Sequence, residues 1–137
     1  YYCARACVPA MIASGGGNII NVITEHVKEG HYITEMSALG YDCAKFSQWR
    51  QVENWAHELR DSGIRANGLC FGATDTPMFR NAVPTEGLYT MKPEDLGQAV
   101  INILSHGPAG PTGQTYLFGT SGSARADSLE AIAALGP

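Results

Sequence analysis

The chain has 137 residues, 45% of them hydrophobic and 16% charged, with a formal net charge of −4. That size and balance suit one soluble globular domain able to bury roughly two thirds of its unfolded surface. No Lys/Arg run is present, which makes nucleic acid and anionic membranes poor partners, and no stretch approaches the ~18 apolar residues of a membrane span.

Four cysteines, Cys3, Cys7, Cys43 and Cys70, are scattered as in a protein of a reducing compartment, and a cytoplasmic location is expected. No CxxC or HxxxH pairing accompanies them, so no metal site is expected, and Cys3 and Cys7 read as small buried helix residues. No signal-peptide pattern opens the chain. The apolar pattern starts at Tyr1 as though in mid-helix, which leads to the expectation of a fragment of a longer protein. The opening "YYCAR" also occurs in antibody variable domains, but the partner cysteine, buried tryptophan and later strand of such a domain are missing.

Residues 1–13 read as the last turns of a helix, kinked at Pro9 and stopped by "SGGG". "NIINVIT", 18–24, is a β-branched run of the kind found in a buried parallel strand. Residues 25–38 are mixed and polar, a loop. A long helix follows over about 39–61, with Phe46, Trp49, Val52, Ala56 and Leu59 in one apolar stripe. "IRANGLC", 64–70, is a second strand. Residues 71–91 are too rich in Gly, Pro and Thr for regular structure, and loops of that length are usually functional.

"KPEDLGQAVINILSHG" opens with a proline and acids and spaces Leu96, Val100, Ile103 and Leu104 for a helix. "GQTYLFG" is a last strand and "DSLEAIAAL" a short closing helix. The alternation of helices and strands predicts an α/β fold with a parallel sheet covered by helices.

Within "GYDCAKFSQW", Tyr41 and Lys45 stand four positions apart near the start of the long helix. On a helix such residues are rotated by about 40° and separated by roughly 6 Å along the axis, so they project side by side. Alone, that spacing proves little, because it occurs by chance in many proteins and more often means a partly buried tyrosine beside a solvated lysine than chemistry.

The surroundings add to it. "IINVIT", then "YDCAK" opening a helix, then "GIRANGLCFGATDTPM", "KPEDLGQAV" and "GPTGQTYLFG" together resemble the C-terminal half of a short-chain dehydrogenase/reductase. The resemblance covers nearly the whole chain. It implies that residues 1–137 are the C-terminal part of a single Rossmann-like, doubly wound parallel-sheet domain whose N-terminal half is absent from this chain.

The resemblance also implies hydride transfer between an alcohol or carbonyl and NAD or NADP. Tyr41 would be the acid/base, and Lys45 would supply positive charge and bind the nicotinamide ribose. A phenol of pKa about 10 is a poor acid/base near neutrality, and a neighbouring cation favours phenolate.

The family's serine at the end of the preceding strand is replaced by Thr24, which keeps a hydroxyl donor but is stiffer at χ1. Ser37 is a weaker candidate, and the separation from Thr24 to Tyr41 is longer than is usual in the family. After the next strand the family's Pro-Gly pair is replaced by Phe71-Gly72. There Gly72, Thr74 through its main chain and Thr76 through its hydroxyl would approach the nicotinamide carboxamide. Residues 77–91 would form a substrate lid, with Met78, Phe79, Val83 and Leu88 either touching substrate or packing on the sheet.

Glu25, His26 and His31 fall in the loop after Thr24, where a substrate would lie, though a loop histidine is more often solvated. "SGGG" follows a helix and precedes a strand, the reverse of the order in a pyrophosphate-binding turn. The resemblance implies a homo-dimer or homo-tetramer, with Trp49 and Trp55 as interface anchors or, equally, as core residues. A catalytically silent relative, kept as a binding or assembly module, is the competing expectation; Thr24, Phe71 and the lengthened loop are the features it would cite.

Overall fold

The computed structural model describes residues 1–27, 39–84, 86–88, 90–118 and 134. In chain order the elements are helix α1 (Tyr2–Ala13), strand β1 (Gly17–Thr24), a 3₁₀ turn (Glu25–Val27) and helix α2 (Leu39–Glu58). Strand β2 (Ile64–Phe71), helices α3 (Pro77–Ala82) and α4 (Pro93–Ser105) and strand β3 (Thr115–Phe118) complete them. The closing helix expected over 127–135 lies outside the described residues apart from Ala134, which is helical.

The three strands are parallel in the order β1-β2-β3. β2 is the central strand, and all eight of its residues are buried, Arg65 and Asn67 included. Its alternate side chains feed two separate cores. Cys70 joins Ile23, Val27 and Val52 under α2, with Trp49 and Leu117 against them. Leu69 and Phe71 join Phe118, Met91 and, from α4, Leu96, Ala99 and Ile103. The sheet is therefore covered on both faces, as a doubly wound fold requires. Both connections step the same way across the sheet yet lie on opposite faces, so they have opposite hands, and one departs from the strong right-handed preference of such crossovers.

The polar residues of β2 tie down the return from α4 to β3. Arg65, only 4% exposed, donates to the carbonyl oxygens of Ile103 and Pro111. Asn67 donates to the Pro111 carbonyl at 2.7 Å and accepts from the Gln114 amide. These bonds satisfy side chains that would otherwise be costly to bury.

At the other end of β1, Gly16 has φ +127°, and a Cβ there would fall 2.3 Å from the Gly63 carbonyl oxygen. The "SGGG" segment thus serves a close backbone approach between the amino ends of β1 and β2.

Several sequence expectations are corrected. Cys3 and Cys7 are exposed rather than buried, and α1 buries none of its side chains. The 71–91 segment contains regular structure: Thr76 accepts a hydrogen bond from the Phe79 amide and caps α3, with Pro77 at its first position. In the α2 stripe Val52 is fully buried but Phe46 is half exposed, and Trp55 takes the inward position that spacing gave to Ala56. Trp55 belongs to this chain's own core, not to an open interface face. Leu104 of α4 is 45% exposed, and the inward polar residue there is Asn102. Met78 is 80% and Leu88 51% exposed, so neither packs on the sheet.

Candidate functional site

β1 and β2 run side by side with Thr24 opposite Phe71, so both strands deliver their following segments at one edge of the sheet. Ligands of open α/β sheets bind beyond the carboxyl ends of the strands. Thr24 ends β1 and is 6% exposed. α2 begins at Leu39, which places Tyr41 in its first turn and Lys45 one turn on.

Tyr41 is half exposed, and the Lys45 ammonium lies 5.7 Å from its ring centroid. Lys45 also reaches across to the strand: Nζ donates to the Val22 carbonyl oxygen at 2.8 Å. An ammonium has three N–H donors, so this bond leaves two for other partners. Burial lowers the Lys45 pKa, an effect partly opposed by attraction to the Cys70 thiolate. Cys70 sits on β2 two residues before Gly72. Burial pushes its thiol up to about 11, with Lys45 acting in the opposite direction. Lys45 thus ties α2 to the end of β1 and lies within electrostatic reach of Cys70 on β2.

The segment after β2 is pinned at both ends. The Gly72 amide donates to the Phe118 carbonyl at 2.9 Å, and the Thr74 hydroxyl donates to the Gly72 carbonyl at 3.0 Å. Thr74 forms an isolated bridge with Met91: the Met91 amide donates to Ala73, and the Asp75 amide donates to Met91. Phe71 occupies the position where a proline was expected, and its ring stacks on Phe118 at 5.6 Å between centroids. The segment is thereby anchored by an aromatic contact that sequence spacing did not foresee. The Thr76 hydroxyl, engaged as a cap acceptor, keeps its own O–H to donate.

Tyr41, Lys45, Thr24, Gly72, Thr74 and Thr76 thus lie on segments that leave the same edge of the sheet. His31 and Ser37 lie outside the described residues, and Glu25 opens the 3₁₀ turn. His26, in that turn, meets the Tyr41 ring edge to face, with centroids 6.0 Å apart. Two features escaped the sequence reading: the placement of Cys70 beside Lys45, and the approach of His26 to both Tyr41 and Asp42. Strand parity signals the first, since Cys70 shares a face with Ile23 across the strand pair. Nothing in the sequence signals the second.

A shallow cleft lined by Ser14, Gly15, Gly16, Gly63, Arg65 and Pro108 lies at the opposite edge, by the amino ends of β1 and β2. The glycine cluster is thus far from where a parallel sheet binds phosphates. Among the described residues no group of three or more His, Cys, Asp or Glu is placed to hold a metal, and no helix is long and apolar enough to cross a membrane.

A family model described as short chain dehydrogenase matches residues 1–87. The chain belongs to that family. It is 29% identical over 123 residues to an uncharacterized oxidoreductase of Bacillus subtilis (strain 168), covering 83% of this chain and 49% of that protein. To a cyclohexanol dehydrogenase of Acinetobacter sp. (strain SE19) it is also 29% identical over 123 residues, covering 85% and 47%. Among solved structures, a short chain dehydrogenase/reductase family protein matches with a TM-score of 0.73 at 28% identity, over 90% of this chain and 53% of that one. Acetoin dehydrogenase of Salmonella typhimurium matches with a TM-score of 0.68 at 25% identity, over 86% and 49%. The chain spans about half the length of the curated relatives it matches.

Proposed function

We propose that this chain carries the catalytic half of an NAD- or NADP-dependent oxidoreductase that interconverts a small-molecule alcohol and its carbonyl. The observation that carries the reading is the pairing of Tyr41 with Lys45 at the carboxyl edge of two adjacent parallel strands, in a member of a dehydrogenase family.

The donors at this edge suit the nicotinamide-ribose part of a dinucleotide. The two spare N–H groups of Lys45 match a pair of vicinal hydroxyls, while the Thr76 hydroxyl and the Thr74 main chain match a carboxamide. When bound, such a cofactor supplies or accepts the hydride. In the reducing direction Tyr41 gives its phenolic proton to the carbonyl oxygen, and in the oxidising direction it takes that proton back. Lys45 offsets the negative charge that then rests on the phenolate. The Thr24 hydroxyl donates a hydrogen bond to the substrate oxygen and holds it toward Tyr41. Met78 and Leu88, apolar and exposed beyond the strand ends, are suited to contact an apolar substrate body.

The chain spans about half the length of the relatives it matches, so the test uses the gene product at full length. Fluorescence titration with NADH and NADPH, followed by initial rates on a panel of secondary alcohols and ketones, should reveal binding and turnover. Lys45→Met should weaken cofactor binding and lower turnover together. A protein that binds neither cofactor, or a Lys45→Met variant indistinguishable from the parent, would overturn the reading.

A further inference from the structure

The roles assigned above leave His26 without a task, yet its surroundings are specific. Its ring packs against that of Tyr41 with an interplanar angle of 69°. Its Nδ1 stands 3.5 Å from Oδ1 of Asp42, the residue that follows Tyr41 in the first turn of α2. Both atoms are buried, and neither has a hydrogen-bond partner among the described residues. Two buried polar atoms of complementary chemistry, each unsatisfied, are costly unless they close on one another. The separation is slightly beyond a good hydrogen bond, so a small rotation of either side chain completes it. The carboxylate is also favoured where it is, at the amino end of a helix.

The consequence falls on Tyr41. One flank of its ring meets the imidazole, and the Lys45 ammonium lies 5.7 Å from its centroid. A half-exposed tyrosine in the first turn of a helix would otherwise exchange rotamers freely. We propose that His26, braced by Asp42, is a positioning residue that holds the Tyr41 ring in the orientation its proton transfer requires. The inference rests on the acid/base role proposed for Tyr41. Reacting groups lose much of their advantage when displaced by as little as about 1 Å, so losing the brace should be felt in the chemical step.

The test compares His26→Ala, Asp42→Ala and the double variant in the full-length protein, with Tyr41→Phe as reference. The measurements are kcat, cofactor affinity and thermal midpoint. Each single change should lower kcat by about tenfold or more, corrected for the folded fraction, while cofactor affinity stays near the parent's. The midpoint should fall in the singles, each of which leaves one buried polar atom unpaired, and the double variant should be no worse in kcat than the singles, because both act through one ring. His26→Phe keeps an aromatic edge against Tyr41 but not the Asp42 partner. It should behave like Asp42→Ala, and it serves if the alanine variants do not fold. Parental kcat in these variants, or a loss that only follows the folded fraction, would overturn the positioning role. If Tyr41→Phe itself keeps turnover, the acid/base reading fails first and takes this inference with it.

Discussion

Iodoacetamide treatment of the folded full-length protein at pH 8 is expected to label Cys43 and to spare Cys70. Cys43 is exposed on α2, whereas Cys70 is 2% exposed near the end of the central strand. Burial raises its pKa from 9.0 to about 11 against the pull of Lys45. The thiolate is the reactive form, so at pH 8 its fraction falls from about 10% for an ordinary thiol to about 0.1%, a hundredfold slowing before steric exclusion is counted. Peptide mapping by mass spectrometry over a time course reads each site separately. Comparable labelling rates at Cys43 and Cys70 would refute the placement of Cys70 under α2. The same shift fixes a sign for stability. Folded Cys70 holds its proton more tightly than the unfolded thiol does, so its contribution is fully present below pH 9 and is lost as pH rises through about 11.

Two further outcomes follow from named contacts. Thr24→Ser should preserve turnover, since it keeps the hydroxyl, whereas Thr24→Val should lower kcat by about a hundredfold, the usual cost of removing one oxyanion donor; equal rates for the two in steady-state assays would remove Thr24 from the mechanism. Thr76→Ala deletes the cap of α3 and should cost about 1 kcal/mol in denaturant unfolding, with weakened cofactor affinity if its hydroxyl also serves the carboxamide. Thr76→Ser should restore both, and no change in either variant would mean that the cap carries no weight.

Apart from α3, the order of the elements was readable from residue pattern because β1 is a short β-branched run, β2 is flanked by Gly63 and Gly72, β3 is a short run between glycines, and the long helices have a breaker behind them. Val52 and Ile103 fell on the inward faces that spacing assigned them. Periodicity says which residues share a face but not how wide the covered face is. For that reason Phe46 and Leu104, at the margins of their stripes, are open to solvent, while Trp55 is buried. The 71–91 segment was misjudged as irregular because one local hydrogen bond, from the Phe79 amide to Thr76, outweighs a composition that disfavours helix. Cys3 and Cys7 were misassigned because helical spacing alone does not establish that anything packs against α1.

At the site, the Tyr41–Lys45 adjacency followed from helix geometry alone. The Lys45 bond to Val22 and the His26–Asp42 approach join positions 23 and 16 residues apart, which no local pattern encodes.

The measurement that tests the account most directly is steady-state turnover of the full-length protein carrying Tyr41→Phe, alongside cofactor affinity. Removing one hydroxyl leaves the ring, its contact with His26 and the fold in place. The account predicts a fall in kcat of about 10²- to 10⁴-fold with cofactor affinity nearly unchanged, as for loss of a group used only in the chemical step. Turnover within a factor of about two of the parent would contradict it, and Tyr41 would then be a surface tyrosine beside a lysine.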